Sequence, residues 1–212
     1  MTGGESGSDE ARWDERYRQS TRLWSGEPNP QLVAETADMP TGRALDAGCG
    51  EGADAIWLAE HGWRVTALDL STVALERAKA QATNLAPDIA ARISWQHADL
   101  RDWSTGQATF DLVTAQFLHL PPHQRRDVHR RLAAAVAPGG ILLIVGHHPS
   151  DVDTGVPRPP LEVLATSSEM AESLRPGAWT IVVDEARPRS VTGSDGSMVT
   201  VHDAVLKARR EI

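Results

Sequence analysis

The chain has 212 residues, of which 41% are hydrophobic and 24% charged, with a formal net charge of −8. That length and balance fit one soluble domain with a substantial core, and the acidic excess argues against general attraction to nucleic acid or acidic membranes. The lone cysteine, Cys49, excludes an intrachain disulfide framework, and no apolar run reaches the roughly 18 residues a membrane span requires.

Residues 1–10 are rich in Gly and Ser and carry no basic-then-apolar secretion pattern, so they are expected to be disordered and the protein cytoplasmic. Residues 11–38 are expected to form a helical lid. In ARWDERYRQS, Trp13 and Tyr17 stand four residues apart on one helix face. The prolines of LWSGEPNPQLVAETA then precede a second helix from about Pro30 to Ala37. From residue 39 to 212, strands and helices alternate. RALDAG is a strand followed by helix ADAIWLAEHG, and RVTALDLS a strand followed by helix STVALERAKAQA. ISWQHADL and FDLVTAQFLHL read as further strands. A helix from about His123 to Ala137 stops at PGG, and ILLIVGHH is a buried strand. Helical spacing returns in LEVLATSSEMAESL, and WTIVVDEARP and MVTVHDAVLKARR close the chain as strands joined by TGSDGS. The alternation predicts an α/β fold with a mostly parallel sheet covered by helices on both faces. The last two strands, with no helix between them, form an antiparallel pair at one edge. Residues 149–160 contain four prolines and are the expected mobile loop.

The stretch LDAGCGEG places Gly48, Gly50 and Gly52 between the first strand and its helix, where open parallel sheets bind ligands. The spacing is G-x-G-x-G, and Ala53 stands where a dinucleotide fingerprint has its last glycine. Asp69 ends the second strand, 21 residues after Gly48, where a carboxylate accepts both hydroxyls of an adenosine ribose. Asp46, two residues before the first glycine, repels a pyrophosphate and favours a sulfonium or an ammonium. Asp99, in HADL, is placed to accept from an adenine amino group. Three acids on three successive strand ends suit a cationic amino-acid nucleoside better than a polyanion. Glu51 reads as a solvated charge complementing the helix dipole. Cys49 reads as a small residue filling the turn, and Trp57 and Trp63 as packing residues.

ALDAGCGEGADAIWLAEHGWRVTALDLS, with WQHADL, FDLVTAQFLHL and LAAAVAPGGILLIV, closely resembles the core of class I S-adenosylmethionine-dependent methyltransferases. The leader WDERYRQSTRLWSGEPNPQLV looks like that of the tellurite-resistance and thiopurine-type branch. The resemblance implies a Rossmann-like sheet of seven strands with the last antiparallel. It also implies that the glycine turn holds the methionine portion of S-adenosylmethionine, Asp69 the ribose and Asp99 the adenine, with Gln116 and Phe117 under the cofactor. Leu70 and Leu100, next to two of these acids, complete the cofactor-binding set with Trp24, Asp46, Gly48 and Gly50.

The transferred methyl is expected to point towards the ends of strands four and five, where His119, His147 and His148 are the candidate catalytic residues. Histidine titrates in the range a general base needs, whereas a thiolate, selenolate or oxyanion acceptor needs little or no base. Adjacent histidines on a strand point to opposite faces, so His147 and His148 are poorly placed to share an ion, and no metal is expected. His123 and His129, with Arg125, Arg126, Arg130 and Arg131, make a solvated basic helix face. Trp24 is the leader residue expected to shield the methyl from water, with Trp13, Tyr17 and Arg22 lining the same lid. Arg158 is available for an anionic acceptor. The expected activity is methyl transfer to a small molecule (a thiol, metalloid oxyanion, phenol or amine) by a monomer or homodimer with no nucleic-acid or membrane partner. The alternatives are a nicotinamide-dependent oxidoreductase, disfavoured by Asp46 and by the lack of a Tyr-x-x-x-Lys pair, and a non-catalytic S-adenosylmethionine-binding module.

Overall fold

The computed structural model describes residues 3–106, 109–193 and 195–212. Its strands are β1 (Arg43–Ala47), β2 (Arg64–Asp69), β3 (Ile93–His97), β4 (Phe110–Gln116), β5 (Val136–His147), β6 (Trp179–Thr192) and β7 (Met198–Arg210). They join one sheet in the order β3-β2-β1-β4-β5-β7-β6. β1 pairs with β2, and β2 with β3, in parallel. β7 runs antiparallel to both β5 and β6. This is the mostly parallel sheet with an antiparallel last strand that the sequence led us to expect. Strand order turns back after β1, which puts the carboxyl end of β1 at the switch point of the sheet.

By internal contacts the chain divides into two compact units, Met1–Thr114 and Ala115–Ile212. The first contains α1 (Gly3–Arg18), α2 (Pro30–Thr36), α3 (Ala53–Glu60), α4 (Thr72–Leu85) and α5 (Pro87–Ala90). Its core is the apolar run of β1 and β2, Ala44, Leu45, Ala47, Val65, Ala67 and Leu68, with Ile56, Leu58, Trp63 and Ala78. Each helix start has a chemical cause. Asn29 accepts from the Gln31 amide, with Pro30 in the first helical position, and Ser71 accepts from the Ala74 amide to open α4.

Helix α1 begins at Gly3, inside the stretch expected to be disordered, while residues 1 and 2 lie outside the described residues. Two acids of that stretch have partners: Asp9 pairs with Arg101 at 2.8 Å and Glu10 with His97 at 3.1 Å. Further along α1, Asp14 accepts from Ser71 Oγ at 2.6 Å, Thr72 Oγ1 at 3.2 Å and the Val73 amide at 3.3 Å. Burial pushes the Asp14 carboxyl up, but these donors outweigh it and hold its pKa below the ordinary value.

The second unit contains α6 (Pro122–Ala135), short 3₁₀ turns at Pro149–Asp151 and Leu161–Val163, and α7 (Ser167–Ala171). Its core strands are β5, buried from Ile141 to Val145, and β7, with Val201, Ala204, Val205, Leu206 and Ala208 buried. The edge strand β6 is largely exposed and carries Asp184, Glu185, Arg187 and Arg189, charges that discourage pairing with another edge. Two expectations are corrected here. His129 is not solvated: it is 3% exposed, on the face of α6 that also buries Val128, Leu132 and Ala133. Burial, with the charge of Arg125, lowers its pKa to about 4. Nor is Arg125 part of a free basic face, since it donates to the carbonyls of Val163 and Leu164 at 3.2 and 3.0 Å.

Candidate functional site

The glycine turn is folded back on β2. The amides of Gly48 and Cys49 both donate to the Leu68 carbonyl, at 2.8 and 2.9 Å, and the Gly50 amide donates to Asp69 Oδ2 at 2.7 Å. Asp69 Oδ1 accepts from the Ser71 amide at 2.8 Å. The carboxylate at the end of β2 is therefore locked in orientation by the turn it faces. Gly50 has φ +52°, and a Cβ there would stand 3.0 Å from Tyr17 Oη and 3.4 Å from Trp24 Nε1. We expect Gly50→Ala to lower unfolding free energy by about 1–2 kcal/mol, the cost of forcing an L side chain into the left-handed region; urea denaturation measures it. Gly52, at φ +84°, also serves packing: its Cβ would lie 2.7 Å from the Trp95 ring and 2.8 Å from Ala78 Cβ.

Three carboxyl groups crowd this turn. Asp46 is 2% exposed, and its Oδ2 is buried with no hydrogen-bond partner. Burial first, then the negative charges of Asp54 and Asp69, push its pKa well above the ordinary carboxylate value. Burial raises Asp54 to about 6, against the opposing hydrogen bond from the Asn29 amide, and Asp69 is raised by the same cause. An orphaned buried carboxylate oxygen among like charges would be stabilised by a cation placed against it. A pyrophosphate would be repelled from it.

The leader closes over the turn through Glu51, which overturns the expectation of a solvated charge. Glu51 is 9% exposed. Its Oε2 accepts from the amides of Leu23 and Trp24, at 3.0 and 3.2 Å, and its Oε1 accepts from Arg77 at 3.0 Å. Arg77 also donates to the Tyr17 carbonyl at 2.8 Å, and Trp24 Nε1 donates to Tyr17 Oη at 3.0 Å. Trp24 and Tyr17 thus stand against Gly50, while the outer face of Trp24 carries Arg16 at 5.4 Å.

Asp99, just past β3, is half-buried. It is held in a fork by Arg101, with Nε at 2.9 and 3.0 Å and Nη2 at 2.7 Å from its oxygens. Leu70 and Leu100 are both half-buried, and the Leu70 carbonyl contacts His97 Nε2 at 2.9 Å.

In the second unit, Gln116 ends β4 and Phe117 follows with φ +52°, its amide donating to the Val145 carbonyl at 2.8 Å. The Phe117 ring stacks on His147, centroids 4.4 Å apart, and His147 stacks on His119 at 5.6 Å. His147 Nδ1 is buried without a hydrogen bond. Burial, and then the charge of Arg158, push its pKa down to about 3. His148 is not brought into this stack. It caps the following 3₁₀ turn, with Nδ1 2.8 Å from Ser150 Oγ, as expected for adjacent residues leaving a strand on opposite faces.

Residues 44–140 match the family model described as a methyltransferase domain. The chain is 31% identical over 162 residues to probable thiol methyltransferase 2 of Arabidopsis thaliana, covering 74% of this chain and 69% of that protein. It belongs to the class I S-adenosylmethionine-dependent methyltransferases. Thiocyanate methyltransferase 1 of Brassica oleracea is 28% identical over 193 residues, 89% of this chain and 82% of that protein. Among solved structures, one described by the conversion of a disulfide bond into a thioacetal group during echinomycin biosynthesis is 25% identical. Its TM-score is 0.75, over 95% of this chain and 91% of that one. TehB of Haemophilus influenzae shares the fold with a TM-score of 0.69 at 19% identity, over 95% of this chain and 67% of that one.

The methyltransferase uses S-adenosylmethionine, and its own residues fit that molecule. The orphaned Asp46 oxygen suits a positively charged group, the Cβ-free surface of Gly50 admits close approach, and Asp69 is fixed at the end of β2.

Proposed function

We propose that this methyltransferase methylates a small, soft acceptor, a thiol taken as its thiolate, by in-line displacement. Asp46, Gly48 and Gly50 hold the amino-acid end of the cofactor, Asp69 its ribose, and Asp99 with Leu70 and Leu100 its base. Gln116 and Phe117 support the cofactor, and Trp24 on the leader excludes water. S-adenosylmethionine supplies a methyl carbon already activated by its sulfonium, so the chain's task is alignment and exclusion of water.

The observation that carries the choice of acceptor is the stacked imidazole of His147. In the ligand-free protein burial and the charge of Arg158 push its pKa down to about 3, which favours an acceptor that brings its own lone pair over a phenol or an amine that must lose a proton. A thiolate needs no such help, because its lone pair is already free. His119 is then a wall and hydrogen-bonding group for the acceptor, and His148 a capping residue outside the chemistry. The two plant relatives named for thiol and thiocyanate methylation support the same class.

The test is a calorimetric titration with S-adenosylhomocysteine and NAD, followed by turnover across thiols, phenols, amines and metalloid oxyanions. S-adenosylhomocysteine binding without NAD binding, and turnover of thiols above the rest, are expected. For a thiol acceptor, His119→Ala should slow turnover less than tenfold. A drop of about 10²–10⁴ would identify His119 as a general base and replace the thiol with a hydroxyl acceptor.

A further inference from the structure

The loop after β5 carries a charge whose purpose the fold does not explain. Asp151 pins this loop to β7: its Oδ1 stands 2.9 Å from His202 Nδ1 and accepts from Ser150 Oγ at 3.2 Å, and the His202 amide donates to its Oδ2. Seven residues on, the Arg158 side chain is only 8% exposed. Its Nη2 stands 3.9 Å from Asp151 Oδ2, within Coulombic reach but beyond a hydrogen bond. Both Nε and Nη2 of Arg158 are buried and make no hydrogen bond.

The other charges nearby are already committed. Arg189 Nε lies 2.9 and 3.1 Å from the two oxygens of Asp203, and Asp203 sits opposite His147 in the β5–β7 ladder. Asp151 is occupied by His202 and Ser150. Burial and the repulsion of Arg189 lower the pKa of Arg158, against the pull of Asp151 and Asp203, and Arg158 is in turn the leading charge acting on His147. A buried guanidinium with two unfilled donors is costly to the fold. Those two donors are also the parallel N–H groups along one edge of the guanidinium, the fork that fits both oxygens of a carboxylate.

We propose that Arg158 is the recognition residue for a carboxylate carried by the methyl acceptor, which makes the acceptor a small mercapto-carboxylate. This rests on the thiol reading above and narrows it. The carboxylate binds across Nε and Nη2, and the thiolate of the same molecule reacts. A sulfur lone pair forms the new bond to the methyl carbon, and the carbon–sulfur bond of the sulfonium breaks with its electron pair staying on sulfur. No proton is released in that step, and the products are a methyl thioether carboxylate and S-adenosylhomocysteine.

The experiment uses the full chain saturated with S-adenosylhomocysteine, titrated with propionate, 3-mercaptopropionate and propanethiol, with binding read by calorimetry and by the Arg158 Nε–H resonance. Wild type should bind both carboxylates and shift that resonance. Arg158→Gln should bind them about 10- to 100-fold more weakly, the scale of a charge-assisted hydrogen-bonded pair, while propanethiol binds both proteins alike. Arg158→Lys, which keeps the charge but loses the fork, should fall between them, and it serves as the test if the Gln variant fails to fold. The melting temperature of Arg158→Gln without ligand should equal or exceed that of wild type, because no hydrogen bond is lost. Equal carboxylate affinity in wild type and Arg158→Gln, or no carboxylate binding by wild type, overturns the assignment. Carboxylate binding that depends on Arg158 but is accompanied by no methylation of 3-mercaptopropionate would sink the thiol reading and leave the anion site standing.

Discussion

Asp46→Asn is expected to weaken S-adenosylmethionine and S-adenosylhomocysteine binding by about 10- to 100-fold, the scale of a hydrogen bond to a charged group, while leaving the ligand-free protein at least as stable. The two effects have one origin. In the free protein, Asp46 Oδ2 has no donor, and burial together with Asp54 and Asp69 disfavours its ionised form. Replacing it by a neutral amide of similar shape removes a repulsion. When a cation arrives the sign reverses, because the ammonium common to both ligands neutralises the crowded acids. A carboxyl whose folded pKa is raised is charged only above that pKa. Cofactor affinity in the wild type should therefore rise with pH as Asp46 ionises and fall as it protonates, at a pH above the ordinary carboxylate range because burial and its acidic neighbours raise its pKa. Asp46→Asn should flatten that slope. Calorimetric titrations at several pH values and thermal unfolding without ligand check both halves. A mutant of lower stability with unchanged affinity would show that Asp46 is a structural residue and not a cation ligand.

Much of this site was legible because it is local. The apolar run of β1, the glycines behind it and the acids at strand ends report on the few residues around them, and the strand-order rule does the rest. The misreadings are long-range. Glu51 follows a glycine at a helix start, where a solvated acid is the ordinary occupant; its burial depends on amides 27 and 28 residues earlier and on Arg77. Arg101, two residues beyond Asp99, pairs with its carboxylate, a contact that the strand-end pattern does not announce. His129 was legible in principle. Val128 and Leu132 on α6 are i, i+4, and His129 with Ala133 continues the same buried face, but the four arginines around it masked the apolar stripe. The stretch 1–10 looked unable to order itself, and Asp9 and Glu10 instead find Arg101 and His97 far along the chain.

Glu51→Ala should lower the unfolding free energy by about 3 kcal/mol, the low end for removing one partner of a buried pair. Arg77 is 29% exposed, so water relieves part of its loss. The amides of Leu23 and Trp24, in part-buried hydrogen bonds, lose their acceptor as well. Glu51→Gln keeps one carbonyl oxygen for those amides and presents an amide group to Arg77, so it should cost about half as much. If Glu51 and Arg77 act as one clamp, Arg77→Ala combined with Glu51→Ala should cost less than the sum of the two single changes. The consequence for function runs through Trp24, whose side chain stands against Tyr17 and Gly50. Hydrogen exchange at Leu23 and Trp24 should quicken in Glu51→Ala, and the cofactor should bind more weakly because the leader must be reordered when it binds. Urea denaturation and exchange on the same variants test the clamp together. Wild-type stability with unchanged exchange at Leu23 and Trp24 would mean that the leader is held by Tyr17 and Asp14 alone.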